Sequence, residues 1–280
     1  MNSETALITG ASSGIGLHLA HEFAKHGHPL VLVAPVQAEL QQIADELRRD
    51  HHIDAHGVAK DLEQANAAQE IFDELQARGT TVDILVNNAG HGQSGKFWEI
   101  PSERDLSMIL LNIEAVVRLT KLFLAPMLQR GRGRLLNVAS VAGFEAGPGL
   151  AVYHATKAFV LSWSEALRVE LEKTDITVTA LCPGPTDTDF FPKADMLDTK
   201  VFQKGSVMAP QPVAEAGYKA LMEEDPIIVP GGMNKALVFA RRFLSEETQA
   251  RMNKKFYERV PEEDMQRERG DVETAEAQKR

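Results

Sequence analysis

The sequence predicts an α/β fold: one doubly wound parallel sheet of about seven strands, with helices on both faces. Three observations carry that prediction. Short apolar runs without polar alternation recur along the chain, which suits strands buried on both faces. Each run is separated from the next by a segment of helical periodicity, and that interleaving marks a parallel sheet. No Gly/Ser linker and no internal repeat interrupts the pattern, so 1–232 reads as a single domain.

The elements follow in order. Residues 5–9 (TALIT) form the first apolar run, which stops at Gly10. Ile15, Leu19, Ala20 and Phe23 then recur at helical spacing until Gly27. Residues 30–33 (LVLV) read as the second strand and 37–49 as a helix. Residues 53–59 are a weaker strand, 64–78 a helix, and 82–86 (VDILV) the fourth strand. A long helix over 101–130 precedes a strand at 134–138, and a helix over 153–172 precedes one at 176–181. Pro183, Gly184 and Pro185 break the pattern, and 186–210 is irregular with scattered Phe and Met. Residues 212–222 read as a helix and 227–229 as a last short strand.

Beyond the domain, 233–260 reads as a basic amphipathic helical extension. Lys235, Arg241, Arg242, Arg251, Lys254, Lys255 and Arg259 outweigh Glu246, Glu247 and Glu258 there. Packing on the domain ranks first for this extension, a subunit contact second, and an anionic membrane surface last. Residues 261–280 carry charge without apolar periodicity and read as a disordered tail.

Composition narrows the function classes. The 280 residues are 44% hydrophobic and 25% charged, an ordinary globular profile. A formal net charge of −10 is a poor footprint for nucleic acid. The single cysteine, Cys182, excludes an intrachain disulfide framework and a Cys-based zinc site. No carboxylate–histidine cluster is visible, so no metal is expected. The absence of a signal-like N-terminus and of any apolar run near ~18 residues fits a cytoplasmic protein.

Two motifs bear chemistry. TGASSGIG at 9–16 follows a strand and opens a helix, the context a dinucleotide loop requires. Gly10 permits a sharp turn, Gly14 lets the backbone approach a pyrophosphate, and Gly16 permits close helix–strand packing. Ser12 and Ser13 add donors, and Ile15 enters the helix whose N-terminal dipole favours an anion. A glycine-rich turn without a ligand is the alternative. No Gly-Lys-Ser/Thr follows, which disfavours NTP hydrolysis. Tyr153 and Lys157 in YHATK lie four apart on one helix face. A nearby ammonium is expected to lower the phenol's pKa toward a useful range. Alone, such a pair is also common on helix surfaces. Ser140, at the end of a strand, brings a hydroxyl to the edge where parallel sheets place their sites.

Taken together, TGASSGIG, NNAG at 87–90, Asn112, Ser140, YHATK and Pro183–Gly184 closely resemble the short-chain dehydrogenase/reductase family in its compact, Rossmann-type form. The resemblance implies an NAD(P)(H)-dependent oxidoreductase acting on a carbonyl or secondary alcohol. Tyr153 would be the acid/base, Lys157 its partner and a ligand of the nicotinamide ribose, and Ser140 a hydrogen-bond partner of the substrate oxygen. Asn112 would hold a water linking Lys157 to solvent. Asn88, Ala89 and Gly90 would line the adenine-ribose side, with Asn87 stabilising the central strand. Asp61 and Leu62 would meet adenine, and Pro183, Thr186 and Thr188 would grip the carboxamide. The family also implies a homodimer or homotetramer, through the 101–130 and 153–172 helices.

Some readings stay open. Ala34 stands where NAD enzymes of this type carry an acid, and Pro35 and Ser13 stand where NADP enzymes often carry a cation. Loss of the acid favours NADP(H) over NAD(H). Residues 190–208 read either as an apolar substrate lid or as ordinary core. His91 and His154 are candidates to reach the cleft, and Glu145 a candidate to select a polar substrate group. The competing reading is a catalytically idle dinucleotide sensor on the same fold. The intact Ser140–Tyr153–Lys157 set argues against it. Sugar-nucleotide epimerases share the Tyr/Lys pair but fit the loop spacing and the length less well.

Overall fold

The computed structural model describes residues 4–279. In chain order its elements are β1 Ala6–Thr9, α1 Gly14–Lys25, β2 Leu30–Ala34, α2 Gln37–His51, β3 Ala55–Ala59 and α3 Ala67–Ala77. Next come β4 Ile84–Asn87, α4 Ser102–Ile109, α5 Ala115–Arg130, β5 Gly133–Val138, α6 Ala151–Glu170 and β6 Ile176–Leu181. Last are α7 Phe190–Lys193, α8 Lys200–Gln203, α9 Pro210–Met222, β7 Ile227–Ile228, α10 Gly232–Ala240, α11 Glu246–Phe256 and α12 Asp271–Ala277. The seven strands form one parallel sheet in the order β3-β2-β1-β4-β5-β6-β7. The predicted Rossmann-type architecture is the one observed.

Successive residues of a strand face opposite sides, so each apolar run serves two cores. Ala6, Ile8, Leu30 and Leu32 join Leu19, Phe23, Leu40 and Val213 from α1, α2 and α9 on one side. Leu7, Val31 and Val33 join Ile71, Leu119, Phe123 and Leu167 from α3, α5 and α6 on the other. At the sheet centre, Asn87 Nδ2 donates to Thr120 Oγ1 at 3.0 Å and to Asn137 Oδ1 at 2.9 Å. Asn137 Nδ2 in turn donates to Ser164 Oγ at 2.9 Å. Asn87 therefore locks β4 to β5 and their covering helices.

The predicted 101–130 helix is continuous, but a π-helical turn over Leu110–Glu114 separates α4 from α5. Asn112 sits in that turn. The 233–260 extension is two helices and not one. A 3-10 turn at Arg241–Phe243 ends α10, and Ser245 caps α11 by accepting from Thr248 N. Gln249 Nε2 closes the bend by donating to the Arg241 and Leu244 carbonyls, at 3.0 and 2.9 Å. Among the described residues no helix is long and apolar enough to cross a membrane.

The tail departs furthest from expectation. Read from sequence as disordered, 261–279 packs on the domain, residue 280 lying outside the described residues. The fully buried Asp187 carboxylate accepts from the backbone N–H groups of Gly270, Val272 and Glu273, at 3.0, 2.9 and 3.2 Å. Arg269 donates to Asp189 at 3.2 Å and to Glu273 at 2.7 Å, and Glu273 meets His18 of α1 at 2.9 Å. Gln203 Oε1 accepts from the backbone of Gln266 and Arg267, at 2.7 and 2.9 Å. Side-chain-to-backbone hydrogen bonds hold this segment, and they leave no hydrophobic period to read.

Asp187→Ala removes the acceptor of three N–H groups and is expected to cost about 2–3 kcal/mol. It should also free the tail for tryptic cleavage at Arg267 and Arg269, read by mass spectrometry of limited digests. Unchanged protection of both sites would contradict this anchoring.

Candidate active site

The glycine loop joins β1 to α1 at the carboxyl edge of the sheet. Gly14 has φ of +55°, a left-handed conformation that side chains disfavour. At Gly16 a β-carbon would stand 2.1 Å from the Gly10 carbonyl oxygen, so only glycine lets α1 pack this closely. No side chain caps the first turn of α1, which leaves that turn open to an anion. The loop is pinned from β4. Asn88 Nδ2 donates to the Thr9 and Gly10 carbonyls at 2.8 and 3.3 Å. The backbone N–H groups of Asn88 and Ala89 both donate to Thr9 Oγ1, at 2.9 and 3.0 Å.

A cavity of about 360 Å³ opens above this loop. It brings together Gly10, Ser12, Ser13, Gly14, Ile15, Asp61, Leu62, Asn88, Ala89 and Gly90 with Ser140, Tyr153, Lys157, Pro183, Thr186 and Thr188. Gly16 and Asn112 lie behind the wall. One cavity thus holds both the glycine loop and the Tyr153 phenol. Asp61 accepts from Glu63 N at 3.0 Å and from the Gln64 side chain at 3.0 Å, which fixes its own turn. Thr186 Oγ1 donates to the Gly184 carbonyl at 2.9 Å, and Thr188 Oγ1 accepts from Phe190 N at 3.3 Å. Ala34 and Pro35 line the cavity, as does Lys60, which pairs with Glu70 at 2.7 Å.

At the other end, Lys157 Nζ donates to the Val138 carbonyl at 2.8 Å. It stands 5.9 Å from the centre of the Tyr153 ring. Ser140 Oγ accepts from Ala142 N at 3.1 Å and donates to the Pro183 carbonyl at 3.3 Å. Its hydroxyl lies near enough to the Tyr153 phenol to favour the phenolate. Asn112 accepts from His91 N at 3.1 Å and donates to His91 O and Thr156 Oγ1, at 2.9 and 3.0 Å. Its amide thus fixes the chain that follows NNAG and the helix that carries Lys157.

The expected direction of the tyrosine shift is overturned. Burial pushes the Tyr153 phenol up to about 12, with the Ser140 hydroxyl pulling the other way. Burial also pulls the Lys157 ammonium down to about 8. Both groups are shifted toward their neutral forms because desolvation is the leading effect on each.

His91 lines the cavity, and its Nε2 bonds Ser107 Oγ at 2.8 Å. His154 is buried away from it, between the Glu145 carbonyl and the Tyr257 hydroxyl. The side chain of Glu145 meets Asn253 and feels Arg241, so it serves the extension and not the cavity. Sequence reading missed Leu150 and Tyr257, both of which line the cavity. Tyr257 follows α11 and arrives from the extension, with no motif to announce it.

The sequence profile of the family described as short chain dehydrogenase matches residues 4–196. The oxidoreductase UcpA of Salmonella typhimurium is 38% identical over 66% of this chain and 70% of its own length. A short-chain dehydrogenase from Sphingobium yanoikuyae, solved in complex with NADPH, is 33% identical with a TM-score of 0.77. That match covers 86% of this chain and 94% of that one. The bulky-bulky ketone specific alcohol dehydrogenase from Comamonas testosteroni is 33% identical with a TM-score of 0.73, over 87% and 94% of the two chains.

The Lys157 shift has a consequence for stability. The folded chain loses this proton near pH 8, whereas an unfolded lysine keeps it to about 10.4. Between those values the unfolded state holds more protons, so stability rises with pH. In urea titrations the wild type should gain on the order of 2 kcal/mol relative to Lys157→Met between pH 7 and pH 10. A pH-independent difference between the two proteins would refute the buried ammonium.

Proposed function

The chain belongs to the short-chain dehydrogenase/reductase family and is a nicotinamide-dinucleotide-dependent oxidoreductase acting on CH–OH or C=O groups; from that premise we propose that it works as a carbonyl reductase with Tyr153 as proton donor. One observation carries the reading: the Tyr153 phenol and the Ser140 hydroxyl meet in the same cavity as the glycine loop. When bound, the nicotinamide supplies the hydride. Ser140 and the Tyr153 hydroxyl orient the carbonyl oxygen, and the Tyr153 Oη proton moves to it as negative charge develops there. A phenol held at about 12 is fully protonated at neutral pH, which suits a donor better than a base. Lys157 holds the Val138 end of β5 and faces the ring, and Asn112 positions both through Thr156 and His91.

The glycine loop, with Ser12, Ser13 and the first turn of α1, is the pyrophosphate cradle. Asp61 and Leu62 flank the adenine, Ala89 and Gly90 the ribose side, and Pro183, Thr186 and Thr188 the carboxamide. NADP(H) is favoured over NAD(H), because Ala34 ends β2 with no carboxylate to repel a 2′-phosphate. The substrate end, with Leu150, Phe190, Phe191, Met196 and Val201, fits a largely apolar carbonyl compound. Exposed Leu106, Phe159 and Val169 on α4 and α6 support assembly as a homodimer or homotetramer through these helices. A cytoplasmic setting agrees with a single, buried, unpaired cysteine. The 1–232 stretch is the catalytic domain, and 233–279 is an integral cover of it.

With NADPH and a panel of apolar ketones, Tyr153→Phe should lower kcat by about 10³-fold while leaving the NADPH dissociation constant near wild type. Turnover that survives in Tyr153→Phe would overturn the assignment. Ala34→Asp should weaken NADPH at least about tenfold and spare NADH, read by fluorescence titration. Equal losses for both cofactors would remove the argument for NADP(H).

A further inference from the structure

The extension delivers a polar group to the end of the cavity lined by Leu150, Phe191 and Met196. Tyr257 lines that end beside Leu150 and Phe191, and it packs with Tyr153 on the apolar cluster that these two residues belong to. Its hydroxyl is 2.8 Å from His154 Nε2. The other ring nitrogen, His154 Nδ1, is 2.7 Å from the Glu145 carbonyl oxygen. A carbonyl only accepts, so Nδ1 must carry the hydrogen. Burial favours the neutral imidazole, which leaves Nε2 as a bare lone pair. The Tyr257 hydroxyl must then donate to Nε2. Its single proton is committed, and only its oxygen lone pairs remain for the cavity.

From this we infer that Tyr257 is a specificity-determining residue that selects carbonyl substrates bearing a second, hydrogen-bond-donating group such as a hydroxyl. The inference rests on the carbonyl-reductase reading of the same cavity. A donor on the substrate finds an acceptor there. An ether or a second carbonyl at that place meets oxygen lone pairs and gains nothing, because turning the phenol toward it would leave His154 Nε2 buried without a partner. His154 is a positioning residue: it acts through Tyr257. Gly147 makes the arrangement possible, since a β-carbon there would lie 2.1 Å from His154 Nε2.

The test uses propiophenone and its ring-hydroxylated and ring-methoxylated derivatives with NADPH, in wild type and Tyr257→Phe. The best hydroxylated isomer should exceed its methoxy counterpart in kcat/KM by about tenfold in wild type. Tyr257→Phe should reduce that ratio to near one, a comparison made within each protein so that any change in its overall rate cancels. A ratio unchanged in the variant, or no hydroxyl preference in wild type, would overturn the inference. A second readout needs no turnover. In the ¹⁵N spectrum of histidine-labelled wild-type protein at pH 7, His154 should be the neutral Nδ1–H tautomer. An Nε2–H or doubly protonated His154 would overturn the inference. Failure of wild type to reduce any ketone with either cofactor would strike the carbonyl-reductase reading, and the tautomer would still decide the direction of the Tyr257 hydrogen bond.

Discussion

The cavity depends on one constraint of a parallel sheet: where its strands stop pairing, their last peptide groups must find other partners. Asn88 takes the Thr9 and Gly10 carbonyls, Lys157 takes that of Val138, and Ser140 takes that of Pro183. Thr9 Oγ1 donates to Val86 O and receives two N–H groups from the start of NNAG. The side chains that face the cavity are thus the same ones that finish the sheet. A site assembled this way inherits the stiffness of the core. Its polar groups are already positioned at the ends of buried strands, and little ordering is left for ligand binding to supply.

Burial at that edge sets the electrostatics. Tyr153, Lys157 and Cys182 all shift toward their neutral forms, and desolvation is the leading cause in each. The chain therefore holds its proton chemistry in reserve: a protonated phenol and an ammonium poised near neutrality, separated by a ring. The π-helical turn at Leu110–Glu114 serves the same end. One extra residue per turn aims the Asn112 amide at both peptide groups of His91 and at Thr156. Three of its hydrogen-bonding valences are used there, next to the lysine, without exposing a polar atom.

What was legible in the sequence is what local chemistry dictates. Gly14 and Gly16 could be assigned because the backbone itself demands glycine there, and Tyr153 and Lys157 because helical spacing alone puts them together. β1, β2 and β4 were readable because each is an apolar run buried on both faces, whereas β3, with its histidine and glycine, gave a weaker signal. The rest needed tertiary structure. The phenol shift has the opposite sign to that expected because the outcome weighs charge against desolvation, and sequence shows only the charge. The Tyr257–His154 pair is separated by 103 residues, and the sequence offers His154 only as a candidate to reach the cleft. The tail was misread because Asp187, one of several acidic residues in an irregular stretch, gives no hint that it collects backbone N–H groups far along the chain.

The tail's attachment also constrains how the cavity opens. Asp187 sits between Thr186 and Thr188 and is bound to the start of α12, while α12 is bound through Glu273 to His18 on α1. Thr188 in turn packs against Gly14, the residue that begins α1. Loop, tail and helix therefore form a closed ring of contacts around the glycine loop. If the loop swings away from Gly14, it must either break the Asp187 hydrogen bonds or draw α12 away from α1. Breaking them strands a buried carboxylate, which is costly, whereas separating His18 from Glu273 exposes only half-buried groups and costs less. The cheaper motion keeps loop and tail together, so the segment that looks most dispensable in sequence is tied to the loop that lines the cavity beside Gly14.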